Sequence, residues 1–115
     1  MRRGDIWLFD FDHAQGSETR KVRPALIVSN DGANISATRS GTGVVTVVPL
    51  TSNVSRVLSF QVRLSAGQTV LREDSKAQTE QVRAVSVTRA TARVGGVRDS
   101  DMADVDRALR LHLAL

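Results

Sequence analysis

The sequence contains no cysteine and no tyrosine. Without cysteine there is no disulfide, no zinc–thiolate centre and no thiol chemistry. Aromatic residues make up only 3% of the chain, three Phe and one Trp. The core must therefore be built from Val, Leu, Ile and Ala, and too few rings remain for a base-stacking platform of the RRM type. No apolar run approaches the ~20 residues of a membrane-spanning helix, and the N-terminus has no apolar leader stretch. The expectation is a cytoplasmic protein with no membrane partner. Acidic residues are scattered, and His13 and His112 lie near opposite ends of the chain. No metal-ligand cluster is legible, since a two-metal nuclease needs several gathered carboxylates. Gly41-Thr42-Gly43 is too short for a phosphate loop and leads into a strand, so it reads as a turn and no cofactor is expected.

What is present is a basic, moderately apolar chain of 115 residues. That length fits a single domain spanning residues 1–115. Apolar residues form 41% of it, enough for one modest core. The net charge is +4 and the pI is about 11.0. A small basic domain favours polyanionic partners, although charge alone does not name one.

Apolar alternation predicts a first strand from Asp5 to about Phe11, with Ile6 and Leu8 on one face and Trp7, Phe9 and Phe11 on the other. A polar loop follows to Val22. Pro24 opens a second strand that runs to about Ser29. Residues 30–42 read as a turn and loop with about one helical turn. Gly43 to Leu50 forms a third strand, apolar on both faces and so expected to be covered on both. Phe60, Val62 and Leu64 mark a half-exposed fourth strand. Ser75 to Val85 is expected to form a fifth strand and Arg93 to Val97 a short closing one. Asp99 and Ser100 offer N-caps to a terminal helix whose Met102, Val105, Leu109 and Leu113 share one stripe. Five or six short strands with one terminal helix describe a mainly β small barrel.

Two segments concentrate the chemistry. In Lys21-Val22-Arg23-Pro24-Ala25-Leu26-Ile27-Val28 a guanidinium sits where a strand begins. In Val47-Val48-Pro49-Leu50-Thr51-Ser52-Asn53 a hydroxyl sits where another ends. A charged fork and an alcohol on rigid scaffold suit contact with a phosphodiester. On the residues alone, Arg23 reads equally as the partner of a carboxylate at a strand end. Asp10 and Asp12 read as the solvated end of the first strand, Trp7 as core or interface packing, and His112 as a surface or interface histidine. His13 is a rival general acid.

Together with Arg3-Gly4-Asp5-Ile6-Trp7, these segments resemble the MazF/PemK class of bacterial toxins, over nearly the whole chain. The resemblance implies an SH3-like barrel closed by the terminal helix, usually homodimeric, and a metal-independent, sequence-specific endoribonuclease. In such an enzyme the ribose 2′-hydroxyl attacks its own phosphate, leaving a 2′,3′-cyclic phosphate and a 5′-hydroxyl. The family's catalytic pair maps onto Arg23 and Thr51. Arg23 would clamp the non-bridging oxygens as charge builds, and Thr51 would add a hydrogen bond. A guanidinium, with a pKa above about 12, is a poor base, so the group that removes the 2′ proton stays open.

The resemblance also carries over RNA-binding positions: Glu18, Arg20 and Lys21 in the loop before Arg23, Asn30 and Asn34 after the second strand, and Gln81 on the fifth. Where relatives often place glycine before the Arg-Pro pair, this chain has Arg20-Lys21-Val22, a stiffer and more basic approach. Asn30 and Asn34 also suit an ordinary turn, and Glu80 can pair with Arg83 or Arg23. The implied partners are single-stranded RNA, an acidic MazE-like antitoxin whose tail covers the basic groove, and a second copy of the chain. The alternative is a non-catalytic toxin of the same fold that binds and poisons DNA gyrase through the end of its terminal helix, commonly with a Trp there. This chain ends Arg110-Leu111-His112-Leu113-Ala114-Leu115 with no aromatic, and it keeps both Arg23 and Thr51.

Overall fold

A computed structural model describes residues 1–11 and 21–115. Asp12, His13, Glu18 and Arg20, named above as candidates, lie outside the described residues.

Seven strands form one antiparallel sheet: β1 (Asp5–Asp10), β2 (Val22–Ile27), β3 (Val44–Thr51), β4 (Gln61–Leu64), β5 (Ser75–Gln78), β6 (Arg83–Ser86) and β7 (Ala90–Gly96). Their order is β4-β5-β3-β2-β1-β7, with β6 also on β3. The expected mainly β architecture with a terminal helix is what forms.

Period-two alternation sends apolar residues to both faces, and each face builds its own core. Ile6, Leu26, Val48, Leu50 and Leu64 meet Val105 and Ala108 of the terminal helix α2 (Asp99–Leu113) on one side. Phe9, Ala25, Ile27, Val45, Val47 and Val85 gather on the other. The expectation that both faces of the third strand are covered holds. The cover, however, comes from within the chain, so a doubly apolar β3 does not by itself call for a second subunit.

Three expectations need correction. Residues 30–42 hold a full helix, α1 (Asp31–Ser40), not a single turn. Asn30 caps it by accepting the Ala33 N–H at 2.8 Å, and Gly41 ends it at φ 70°, a left-handed conformation that glycine adopts without steric cost. Only Asn34 and Ala37 of this helix are buried. Ala37 lies so close to Gly43 that a Cβ there would sit 2.8 Å away.

Second, the stretch from Ser75 is not one strand. β5 pairs with Leu50 and Thr51, and β6 pairs with Val44 to Val47 on β3. The register shifts by three residues between the two, the length of the 3-10 turn Thr79–Gln81. The turn is pinned where Thr79 Oγ1 donates to the Phe60 carbonyl and Gln61 Nε2 donates to Glu80 Oε2 at 2.6 Å. Glu80 pairs with neither Arg83 nor Arg23; its Oε1 is buried without a hydrogen-bond partner.

Third, α2 starts after Arg98, which offers no side-chain cap. Asp99 and Asp101 instead stabilise the first turn through the helix dipole, and Asp101 stays within 3.6 Å of Arg98 Nε. Val105 and Ala108 carry the buried stripe, whereas Leu113 is exposed.

Candidate active site

β2 and β3 pair through Ala25–Pro49, Leu26–Val48 and Ile27–Val47. Continuing that register outward sets Arg23 across from Thr51, on the same face of the sheet. The two side chains line one cleft of about 330 Å³ with Pro24, Leu50, Ser52 and Ser75. Two residues far apart in sequence are thus brought together by strand pairing.

The surroundings leave both groups available. Arg23 is exposed and makes no ion pair with any described residue. No described residue takes its five N–H donors, a fork that suits an anion. Thr51 is half-buried, and its oxygen accepts the Asn53 N–H at 3.3 Å. Thr51 Oγ1 donates to no described residue, so its hydroxyl proton can be given to a ligand in the cleft. The strand fixes the Thr51 backbone through its pairing with Lys76, and Lys76 Nζ holds the following loop by donating to the Arg56 carbonyl at 2.6 Å.

A second cleft of about 240 Å³ shares Arg23 and Leu50 with the first. Its other walls are Phe11, Lys21, Pro49, Gln78, Gln81 and Arg83. Two residues carried over from the resemblance, Lys21 and Gln81, therefore stand beside Arg23. Gln81 lies on the 3-10 turn rather than on a strand, and the turn is what leaves it exposed.

The two asparagines line neither cleft. Asn30 spends its carbonyl on the α1 cap. Asn34 is fully buried: its amide donates to the Ser29 carbonyl at 2.9 Å and its Oδ1 accepts from Ser29 Oγ at 2.5 Å. A side chain with no exposed surface and a satisfied amide belongs to the helix–strand junction, not to an RNA surface. Pattern reasoning passed over Arg83, Gln78, Ser52 and Ser75. The first two flank the 3-10 turn and the last two sit beside Thr51 in register or sequence, so only the pairing of strands reveals them.

Among the described residues no group of three or more His, Asp or Glu side chains could hold a metal ion. A wider groove, about 530 Å³, lies elsewhere, between β4 and α2. Its two cations are already engaged: Arg63 bonds Asp74 at 2.8 Å and Arg107 bonds Asp104 at 2.9 Å.

Comparison with known proteins agrees with this geometry. Residues 2–113 match the family described as "PemK-like, MazF-like toxin of type II toxin-antitoxin system". The chain belongs to the PemK/MazF toxin family. It is 53% identical over 115 residues to endoribonuclease MazF9 of Mycobacterium tuberculosis, covering 100% of this chain and 98% of that relative. Among solved structures it is similar to a mycobacterial endoribonuclease in complex with its cognate antitoxin, with a TM-score of 0.79, 22% identity and coverage of 100% and 96% of the two chains. It is also similar to MazF from Deinococcus radiodurans, with a TM-score of 0.76, 21% identity and coverage of 100% and 97%. These structural likenesses show the fold, which is that of the MazF toxins. The gyrase-poison alternative finds no support among these matches. No helix among the described residues is long and apolar enough to cross a membrane.

Proposed function

We propose that this endoribonuclease toxin cuts single-stranded RNA at preferred sequences without a metal ion, using Arg23 and Thr51. The supporting observation is that the two side chains line one cleft, where no described carboxylate pairs with the cation and no described acceptor takes the hydroxyl proton. The RNA 2′-hydroxyl loses its proton as its oxygen attacks the adjacent phosphorus, the bond from phosphorus to the 5′-oxygen breaks, and that oxygen takes up one proton, so none is gained or lost overall. The products are a 2′,3′-cyclic phosphate and a 5′-hydroxyl. Arg23 bonds the non-bridging oxygens in bidentate fashion and stabilises the phosphorane, whose charge exceeds that of the substrate. Thr51 donates to the same centre. Because stabilisation grows with developing charge, it lowers the barrier rather than merely tightening binding. Lys21 and Gln81 hold the strand alongside.

The toxin works in the cytoplasm as a homodimer of single-domain chains and is silenced by an acidic MazE-like antitoxin that competes for the bare cations. Exposed Leu111, Leu113 and Leu115 at the end of α2 offer apolar surface for such contacts. The test is to incubate the protein with a long unstructured RNA in excess chelator and identify the new ends. Cutting that persists and leaves cyclic phosphates and 5′-hydroxyls supports the scheme. Loss of cutting on chelation with rescue by magnesium, or 5′-phosphate products, overturns it.

A further inference from the structure

We propose that the 240 Å³ cleft is a nucleotide subsite next to the scissile phosphate, and that Arg83 and Gln78 are binding residues within it. The inference rests on the ribonuclease reading above and adds residues and a location to it.

The break between β5 and β6 builds the site. β5 and β6 lie end to end along one edge of β3, and Val48 and Pro49 find no strand partner on that edge, because the chain there loops out as the 3-10 turn. Pro49 has no N–H to leave unsatisfied, which suits it to the gap. The bulge converts a flat sheet edge into a hollow, a device found next to active sites.

The walls supply each kind of contact a nucleotide needs. Phe11 and Pro49 give apolar surface for a base. Gln78 and Gln81 place two amides on one wall, each able to donate and accept to base edges. Arg83 supplies charge. Its guanidinium carbon lies 5.1 Å from the Phe11 ring centroid, and no described carboxylate pairs with it. The ring orders the guanidinium without neutralising it, so it can take a phosphate. Arg23 forms part of both clefts, so a phosphodiester at Arg23 leaves its neighbouring nucleotide beside Gln78 and Arg83.

The test uses Arg83→Met, Arg83→Lys, Gln78→Ala and the wild-type chain, all checked for folding by thermal melt. Binding to a fluorescein-labelled 2′-O-methyl oligonucleotide of mixed sequence is read at several salt concentrations, and cleavage sites are mapped on a long RNA. Arg83→Met is expected to weaken binding about tenfold at low salt and to reduce the slope of log K against log salt by about 0.7. Arg83→Lys should restore most of both. Gln78→Ala should cut at additional sites, relaxing preference at one position beside the cut by about fivefold or more. Unchanged affinity and slope in Arg83→Met, with an unchanged cleavage map in Gln78→Ala, overturns the subsite even if Arg23→Ala abolishes cutting. If the wild type cuts nothing, the ribonuclease reading fails. The binding arm then still decides whether Arg83 holds nucleic acid.

Discussion

Two regions of this molecule treat positive charge in opposite ways. Around α2, β1, β4 and β7, arginines are matched with aspartates: Arg3 with Asp106 at 2.5 Å, Arg93 with Asp5 at 3.1 Å, Arg107 with Asp104 at 2.9 Å and Arg63 with Asp74 at 2.8 Å. Along the clefts beside β2 and β6, Lys21, Arg23 and Arg83 pair with no described carboxylate. The net charge of +4 is therefore not spread evenly. Cations that brace the fold are neutralised locally. Lys21, Arg23 and Arg83 face hollows where a polyanion would complete them, and close like charges raise its local concentration there. The 530 Å³ groove between β4 and α2 falls in the paired region and the two smaller clefts in the bare one, so charge pairing and cavity size point to different places.

The largest expected break in this contrast is Arg23→Ala. Cutting should fall by about 10²–10³-fold, the range for removing one preorganised transition-state donor, with little change in melting temperature because the side chain holds nothing in place. Arg23→Lys should recover only part, since an ammonium cannot bond two oxygens as a fork. Next, Ser52→Glu places a carboxylate in the Arg23 cleft and turns bare charge into paired charge. A loss of about tenfold in kcat/KM, or about 1.4 kcal/mol, is expected, and it should shrink at high salt. Activity unchanged at low salt would mean that Arg23 does not work through its free charge.

On the paired side the effects should appear in stability and not in cutting. Burial alone would push the Asp5 carboxyl up, but hydrogen bonds from Arg93 and the Arg2 backbone N–H, with the Arg93 charge, hold it below the ordinary range. The Ala66 N–H, and then Arg63, lower Asp74 likewise. A lowered folded-state value means that these groups stabilise the fold at pH above their unfolded values. That contribution is lost as pH falls below about 4 and through the folded values. Denaturant melts of wild type and Asp5→Asn between pH 2 and 6 should show a flatter acid limb in the variant. Smallest of all, Asp106→Asn should cost less than about 1 kcal/mol, because both partners of its pair remain about one-third exposed. It should leave RNA cutting unchanged.

Much of this was legible from pattern, because β1, β2, β3 and α2 advertise themselves through apolar periodicity. The helix α1 did not, since only Asn34 and Ala37 of its ten residues are buried and no apolar stripe forms. Its remaining signal was the pair of caps, Asn30 and Gly41. The break after Gln78 was hidden for a different reason. A three-residue 3-10 turn leaves the alternation on either side intact, so Ala77 and Val85 look like members of one strand. The roles of Arg23 and Thr51 were suggested by their strand-end positions and by family resemblance. Their meeting, and the recruitment of Gln78 and Arg83, depends on the register of β3 with three other strands, which no local pattern encodes. Asn34 misled because a short amide reads the same in a binding loop and in a buried helix junction.

The central claim is that one guanidinium and one hydroxyl act on the same phosphate. Its most direct test is the single-turnover rate of RNA cutting, in chelator, by Arg23→Ala, Thr51→Val and the double variant. Groups that stabilise one transition state are expected to be non-additive, so the double variant should cut little more slowly than Arg23→Ala alone. Cutting by Arg23→Ala at the wild-type rate, or losses in the double variant that simply multiply, would contradict it.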